Sequence, residues 1–449
     1  MRLVGPMSRG VVVVGIGVGA LAVAGVVIAA THVGGGSHAS APAATSATPP
    51  PPAVVTVVGN HRGKVPWNKP LVVRVANGSL RSVAVDAGAT LIDGLIDPAG
   101  RTWRSQTTLV PLTTYVATVT YADEAEHSYT KTFKVVSADT DKHLRVILSP
   151  GNGDTVGVGS PVIARFSRAV PKAQRANVEA RLAVTTTPAV VGAWHWMSDQ
   201  EVHWRPPTYW KPGTKVTLSA TLDNFYVGAG VWGSGSHTTS FRIGDAHVSR
   251  VDVARHQMYV YNNGTLIKTM PISAGRDKYP TKNGVHITFE KSQVVTMDSA
   301  TVGIPRNSPD GYYEKVYWDV RISYGGAFVH AAPWSVGQQG RVNVSHGCVN
   351  LSTDNAIWFY NFARRGDIVD VYNSGAAPDT ADPGMADWNM TWAAWVAGDA
   401  SPSPEALALH PKTPHDSEPA APAYSPTSSY STPTPSRSAS PKPSPSPTH

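Results

Sequence analysis

The sequence predicts a mostly β protein built from several modules. Three observations carry that reading: the 449 residues exceed what one compact core organises, 40 Gly and 37 Pro punctuate the chain, and its apolar runs are short and rich in Val and Thr. Only 15% of the residues are charged, which also disfavours helical bundles. The formal net charge of +7 is not gathered into a basic tract, so it describes a mildly basic exported protein and no nucleic-acid partner is expected.

Arg2 and Arg9 precede an uncharged run over residues 11–30, whose 20 residues would span about 30 Å as a helix. Residues 1–37 are therefore expected to hold a cytoplasmic n-region and a transmembrane helix that serves as anchor or signal segment. The run is longer than the roughly 7–15-residue core of a signal peptide and favours an uncleaved anchor, while Ala39-Ser40-Ala41 still offers a cleavage site. No cysteine lies near it, so the helix itself is the tether. Residues 38–53, rich in Pro, Ala, Ser and Thr, read as an extended spacer.

A first β module is expected over residues 54–140, with a strand at Leu71-Val72-Val73-Arg74-Val75 and alternation through Tyr115, Ala117, Val119 and Tyr121. A second, residues 141–245, contains the strand-like Pro161-Val162-Ile163-Ala164-Arg165-Phe166 and Val216-Thr217-Leu218-Ser219-Ala220-Thr221. Its Trp194, Trp196, Trp204 and Trp210 are either a sugar-stacking platform or core packing, and packing is favoured. A third, residues 246–373, opens with a hairpin turning at Asn262-Asn263-Gly264. Strands follow at residues 285–289, 316–322 and 327–330, and then a helix over residues 352–365, capped by Thr353 or Asp354 and ended by Gly366. Ile368-Val369-Asp370-Val371-Tyr372 closes the module. In residues 374–400, Trp388, Trp392 and Trp395 fall at i, i+4 and i+7, which predicts one helix face of indoles clamped onto an earlier module. Residues 401–449, rich in Pro, Ser and Thr, are expected to be disordered.

The single cysteine, Cys348, cannot form an intramolecular disulfide, so it is a buried inert thiol, an intermolecular link or a reactive group. Its surroundings, Val344-Ser345-His346-Gly347-Cys348-Val349-Asn350, favour the last. They place an imidazole two residues away and a predicted helix start just beyond, and both stabilise a thiolate. A cysteine attacking an amide needs a base and oxyanion donors. His330 and His346 are the candidate bases, and the amides of Gly347 and Cys348 the candidate donors.

His330, followed after fourteen residues by Ser345-His346-Gly347-Cys348-Val349-Asn350, resembles the signature of the L,D-transpeptidase family, whose catalytic domain is the β-rich YkuD fold. Phe328-Val329-His330-Ala331-Ala332-Pro333-Trp334-Ser335-Val336-Gly337 and Trp358-Phe359-Tyr360 are similar to actinobacterial members. The resemblance covers residues 54–398 and implies two immunoglobulin-like β-sandwiches ahead of the catalytic domain. It also implies that Cys348 is the acylated nucleophile and His330 its proton acceptor, with His346 and Gly347 completing the catalytic set. Met297 and Tyr312 would lie in a flap, Gly325, Gly326 and Trp334 would line the approach, and Ser345 and Asn350 would shape the pocket. Relatives place a serine after the catalytic histidine where this chain has Ala331, so a backbone carbonyl would have to orient the imidazole.

The implied reaction takes a peptidoglycan stem tetrapeptide, releases its terminal D-Ala and passes the acyl group to a diaminopimelate amine of a second stem, giving a 3→3 cross-link. No metal or other cofactor is implied, and carbapenems are expected to acylate the cysteine. The work would be done on the outer face of the membrane, in the cell wall. Hydrolysis of the same bond by an L,D-carboxypeptidase is the alternative enzyme, and a non-catalytic wall-binding protein the alternative outside enzymes.

Overall fold

Alternation of apolar and polar residues builds the first sandwich. In the strand Pro70–Ala76 the side chains of Leu71, Val73 and Val75 are buried while Arg74 faces solvent. One sheet orders Val54–Val57, Pro70–Ala76, Thr102–Thr108 and Gly94–Ile96. The facing sheet runs Lys64–Val65, Ser128–Ser137, Thr114–Asp123, Gly78–Ala87 and Thr90–Leu91. Tyr115, Ala117 and Val119 point inward as expected. A register shift between Leu80 and Ser82 ends the alternation, so Ala122 takes the buried place and Tyr121 stacks on Tyr129 at 5.6 Å. The computed structural model describes residues 50–411 except Ala89 and residues 383–385.

The second sandwich packs the sheet Val146–Ser149, Val162–Phe166, Glu201–Arg205, Ala193–Trp196 against Thr155–Val156, Ser236–Ile243, Lys215–Thr221, Leu182–Thr187. Trp194, Trp196, Trp204 and Trp210 are all buried, so these rings are core and not a sugar platform. Gly192 lies against the Trp204 indole, where a Cβ would come within 2.1 Å of the ring.

The third module holds a five-stranded sheet, Thr265–Pro271, Gln257–Asn262, His247–Asp252, Ile368–Tyr372, Gly284–Ile287. A second sheet orders Glu290–Asp298, Tyr313–Arg321, Phe328–Ala331, Val349–Leu351. The hairpin turns on Asn263 and Gly264, both at positive φ, between the paired Asn262 and Thr265. Val248, Val285, Ile287 and Ile368 share one apolar core with the second sandwich, so packing is continuous across residues 245–246. The helix Thr353–Phe362 is capped by Ser352, whose hydroxyl accepts from the Asn355 amide, and not by Thr353 or Asp354. It stops before residue 365 because Ala363 is already extended and the Arg364 amide donates to the Asp367 carboxylate at 2.6 Å.

The tryptophan segment forms two short helices, Ala386–Asn389 and Trp392–Val396, where one was expected. Thr391 interrupts them because its hydroxyl caps the second helix through the Ala394 amide. All three indoles are nevertheless buried, and each donates to a backbone carbonyl, of Gly159, Ala406 and Ala193 respectively. The Arg205 guanidinium lies 4.7, 5.3 and 4.5 Å from the Trp388, Trp392 and Trp395 rings. Order continues past residue 400, correcting the expected start of the disordered tail. Ser403 caps the helix Pro404–Leu407, and Ala406 is buried beneath Trp392. The anchor at residues 1–37, most of the spacer and the tail from residue 412 lie outside the described residues. Among the described residues no helix is long and apolar enough to cross a membrane.

Candidate active site

Parallel pairing of Phe328–Ala331 with Val349–Leu351 sets His330 opposite Asn350 and brings Cys348, one residue ahead of its strand, to the same end of the sheet. The two strands line a cavity of about 190 Å³. Met297, Tyr312, Trp334, Ser345, His346 and Asn350 line it together with His330 and Cys348, as do Glu314 and Val344, which sequence reasoning missed.

His330 is buried, and its Nδ1 lies 2.9 Å from the Ala331 carbonyl. That carbonyl can only accept, so Nδ1 carries the proton and Nε2 keeps its lone pair. Burial pulls the imidazole down to about 4, with the Ala331 bond opposing, so it is neutral near pH 7. The thiol of Cys348 is directed toward the Gly326 carbonyl at 3.9 Å. Burial pushes it up to about 12; a backbone hydrogen bond from Phe328 opposes the rise, and the carboxylates of Asp319 and Glu314 add to it. The cavity thus holds a neutral thiol and a neutral imidazole at rest.

Two expectations for the cysteine are corrected. Cys348 enters a β-strand and not a helix, and the helix N-terminus four residues on is closed by the Ser352 hydroxyl, so no dipole acts on the sulfur directly. The Gly347 amide donates to Ser345 Oγ at 3.0 Å, and that hydroxyl donates to the Cys348 carbonyl at 2.6 Å. Gly347, at φ 121°, therefore shapes the turn, and its amide is already engaged by Ser345.

His346 faces Arg276, whose guanidinium donates to Nε2 at 2.8 Å, and its ring lies between Tyr279 and Tyr312 at 5.0 and 4.9 Å. Burial and then the Arg276 charge lower its pKa. Arg276 and Lys278 both contact Asp310 at 2.5 Å. With that engagement His346 belongs to the cationic wall, while His330 holds the free basic nitrogen. Asn350 is buried, donating to Ser335 Oγ at 3.2 Å. Trp334 is 53% exposed at the rim. Gly325 and Gly326 are not in the cavity wall: the Gly325 amide is held by Asp382 at 2.8 Å, and Gly326 contributes its carbonyl to the thiol. Asp319, buried with neither carboxyl oxygen hydrogen-bonded, is pushed up to about 7 by burial.

Comparison with known proteins places this geometry. Residues 62–226 match the family model described as a bacterial Ig domain, and residues 246–371 match that of the L,D-transpeptidase catalytic domain. L,D-transpeptidase 2 of Mycobacterium tuberculosis is 39% identical over 334 residues, covering 74% of this chain and 81% of that protein. L,D-transpeptidase 5 of the same species is 34% identical over 75% of this chain and 74% of its own length. A solved L,D-transpeptidase in complex with imipenem is 37% identical, covering 51% of this chain and 98% of that one with a TM-score of 0.45. With its Cys348 and His330 at the heart of the matched catalytic segment, this chain belongs to the L,D-transpeptidase family.

Proposed function

We infer that the chain is an L,D-transpeptidase that forms 3→3 peptidoglycan cross-links outside the cell, with Cys348 as nucleophile and His330 as its base. The observation that carries the reading is the pairing of these two side chains in one cavity, with the imidazole held by the Ala331 carbonyl so that Nε2 is the basic nitrogen.

In the first half-reaction Sγ attacks the carbonyl carbon of the diaminopimelate residue of a stem tetrapeptide, and the thiol proton moves to His330 Nε2. A thiol near 12 and an imidazole near 4 do not exchange a proton at rest, so the proton leaves sulfur as the C–S bond forms. The Cys348 amide stabilises the oxyanion. Collapse breaks the C–N bond, His330 returns the proton to the departing D-Ala amine, and a thioester remains. The side-chain amine of a second stem then attacks the thioester, its proton passes through His330 to sulfur, and the C–S bond breaks.

Met297 and Tyr312 act as the flap over the substrate, Trp334 as its rim, and His346, Ser345, Gly347 and Asn350 hold the wall and its turn. The same cysteine is open to acylation by carbapenems. Residues 1–37 tether the enzyme, residues 54–140 and 141–245 carry residues 246–373 away from the membrane, and residues 374–400 clasp the assembly.

The test incubates the full chain with a disaccharide-tetrapeptide and follows it by mass spectrometry. Wild type should show an acyl-enzyme lacking D-Ala and then a cross-linked dimer, and Cys348→Ala neither. Dimer made by the Cys348→Ala protein would overturn the mechanism, and tripeptide monomer as the sole product would assign a hydrolase.

A further inference from the structure

We propose that Glu314 is the specificity-determining residue for the second substrate, binding the acceptor stem's ammonium and taking its first proton so that a neutral amine reaches the Cys348 thioester. The inference rests on the transpeptidase reading and adds an acceptor site to it.

Glu314 pairs with Met297 across the flap strands Glu290–Asp298 and Tyr313–Arg321, and both residues line the cavity that holds Cys348 and His330. Its neighbour Tyr313, 65% exposed, is not in the cavity lining. Among the described residues Glu314 has neither an ion pair nor a hydrogen-bond donor, and burial raises its pKa. Its charge already acts on the thiol and on Tyr312, which places it within electrostatic reach of the reacting sulfur. Glu314 is itself exposed, so water solvates it at rest, and its place on the cavity lining makes it a charge that an approaching cation meets beside Cys348.

Next to His346 the sign is reversed. Arg276 and Lys278 share the single carboxylate of Asp310, and Arg276 reaches His346 in the cavity lining. A cavity with a cationic wall and an anionic flap matches a donor that ends in a carboxylate and an acceptor that arrives as an ammonium.

The proton balance needs a second base. An alkylammonium must lose one proton before it can attack, and the attacking nitrogen loses another as the amide forms. His330 Nε2 is the only acceptor in the Cys–His pair, and it hands its proton to the sulfur as the C–S bond breaks. The earlier proton passes from nitrogen to the Glu314 carboxylate and then to solvent. Overall, ammonium and thioester become amide, thiol and one released proton.

The test gives the full-length enzyme a disaccharide-tetrapeptide donor and two competing acceptors, a stem carrying a free side-chain amine and methoxyamine, which is uncharged at neutral pH. D-Ala release, dimer, methoxyamide and hydrolysed tripeptide are quantified together. Glu314→Gln should lower the ratio of dimer to methoxyamide by about tenfold or more and raise tripeptide, whereas Glu314→Asp, which keeps the carboxylate, should hold the ratio within about threefold of wild type. An unchanged ratio in Glu314→Gln, or an equal fall in both variants, would overturn the proposal. Absence of D-Ala release by wild type would instead strike the transpeptidase reading itself, so the two failures are distinguishable.

Discussion

Alkylation of Cys348 by iodoacetamide measures whether its sulfur rests as thiol or thiolate, and the structure sets the expected rate. With the thiol near 12, about one molecule in 10⁵ is thiolate at pH 7, against roughly 3% for a free cysteine near 8.5. That deficit is about 3,000-fold. A more basic thiolate is intrinsically more nucleophilic, and a Brønsted slope of roughly 0.4–0.5 returns about 30-fold of it. Cys348 should therefore alkylate about 100-fold more slowly than N-acetylcysteine at pH 7, and its rate should climb close to tenfold per pH step up to about pH 10 with no plateau. Carbapenem acylation follows another course, because the electrophile's developing oxyanion and His330 Nε2 remove the proton as the bond forms. His330→Ala should slow that acylation by about 100-fold or more while changing alkylation little. Intact-mass kinetics of both reactions across pH provide the assay. A plateau in alkylation between pH 6 and 9 would show a preformed thiolate and refute the neutral-pair reasoning.

Three further outcomes are expected. Asp319→Asn should stabilise the fold above pH 7: the buried carboxyl near 7 lies above its ordinary 3.8, so the native state holds this proton longer than the unfolded chain. The stability tied to that proton is present at acid pH and lost as pH rises from about 4 through about 7, at most about 4 kcal/mol, and urea titrations of the Asn variant should show a flatter pH dependence. Arg205→Ala should cost about 2–4 kcal/mol by removing a buried guanidinium beneath three indoles together with its bonds to the Pro206 and Met390 carbonyls. Limited proteolysis should then cut first within residues 386–411, and an unchanged cleavage pattern would show that the cage does not hold this segment. Ala331→Ser should alter D-Ala release by less than about threefold, under 1 kcal/mol, because the backbone carbonyl already holds His330 Nδ1; a large gain would give the missing hydroxyl a role.

The chemistry was legible where it is local. Cys348 and its flanks lie within a few residues, and the one-cysteine composition raised the question by itself. What surrounds the sulfur was not legible, because it depends on a non-local pairing. The helix start was read within a residue or two, but Val349–Leu351 reads equally well as its lead-in, and only the parallel partnership with Phe328–Ala331 makes it a strand. The use of the Gly347 amide by Ser345 needed a turn geometry that residue types do not encode. Glu314 was hidden for the opposite reason. Its residue type suggested solvent, where it does lie, and only the fold sets that exposed side of the strand beside the cavity of Cys348. In the C-terminal segment the indole spacing correctly foretold burial, yet it persisted across the Met390-Thr391 break, since a pattern of three large side chains does not require one continuous helix.

The desolvation that keeps the Cys348 thiol neutral also keeps the His330 imidazole neutral, and one physical cause thus sets both side chains. Excluding water raises the thiol and lowers the imidazole, because each shift disfavours a charge. A lone thiolate would be open to oxidation and to adventitious electrophiles, whereas a neutral, half-buried thiol reacts slowly with both. The cost is that charge must be created during the reaction itself. It is offset only when a substrate carbonyl is placed where the Cys348 amide can receive its oxygen and His330 the proton. Selectivity for a positioned acyl donor therefore follows from the desolvated pair without any further recognition element. The choice of acceptor does not follow from it, because the pair treats water and amine alike; that choice falls to whatever charge faces the thioester, and on this flap the charge is Glu314.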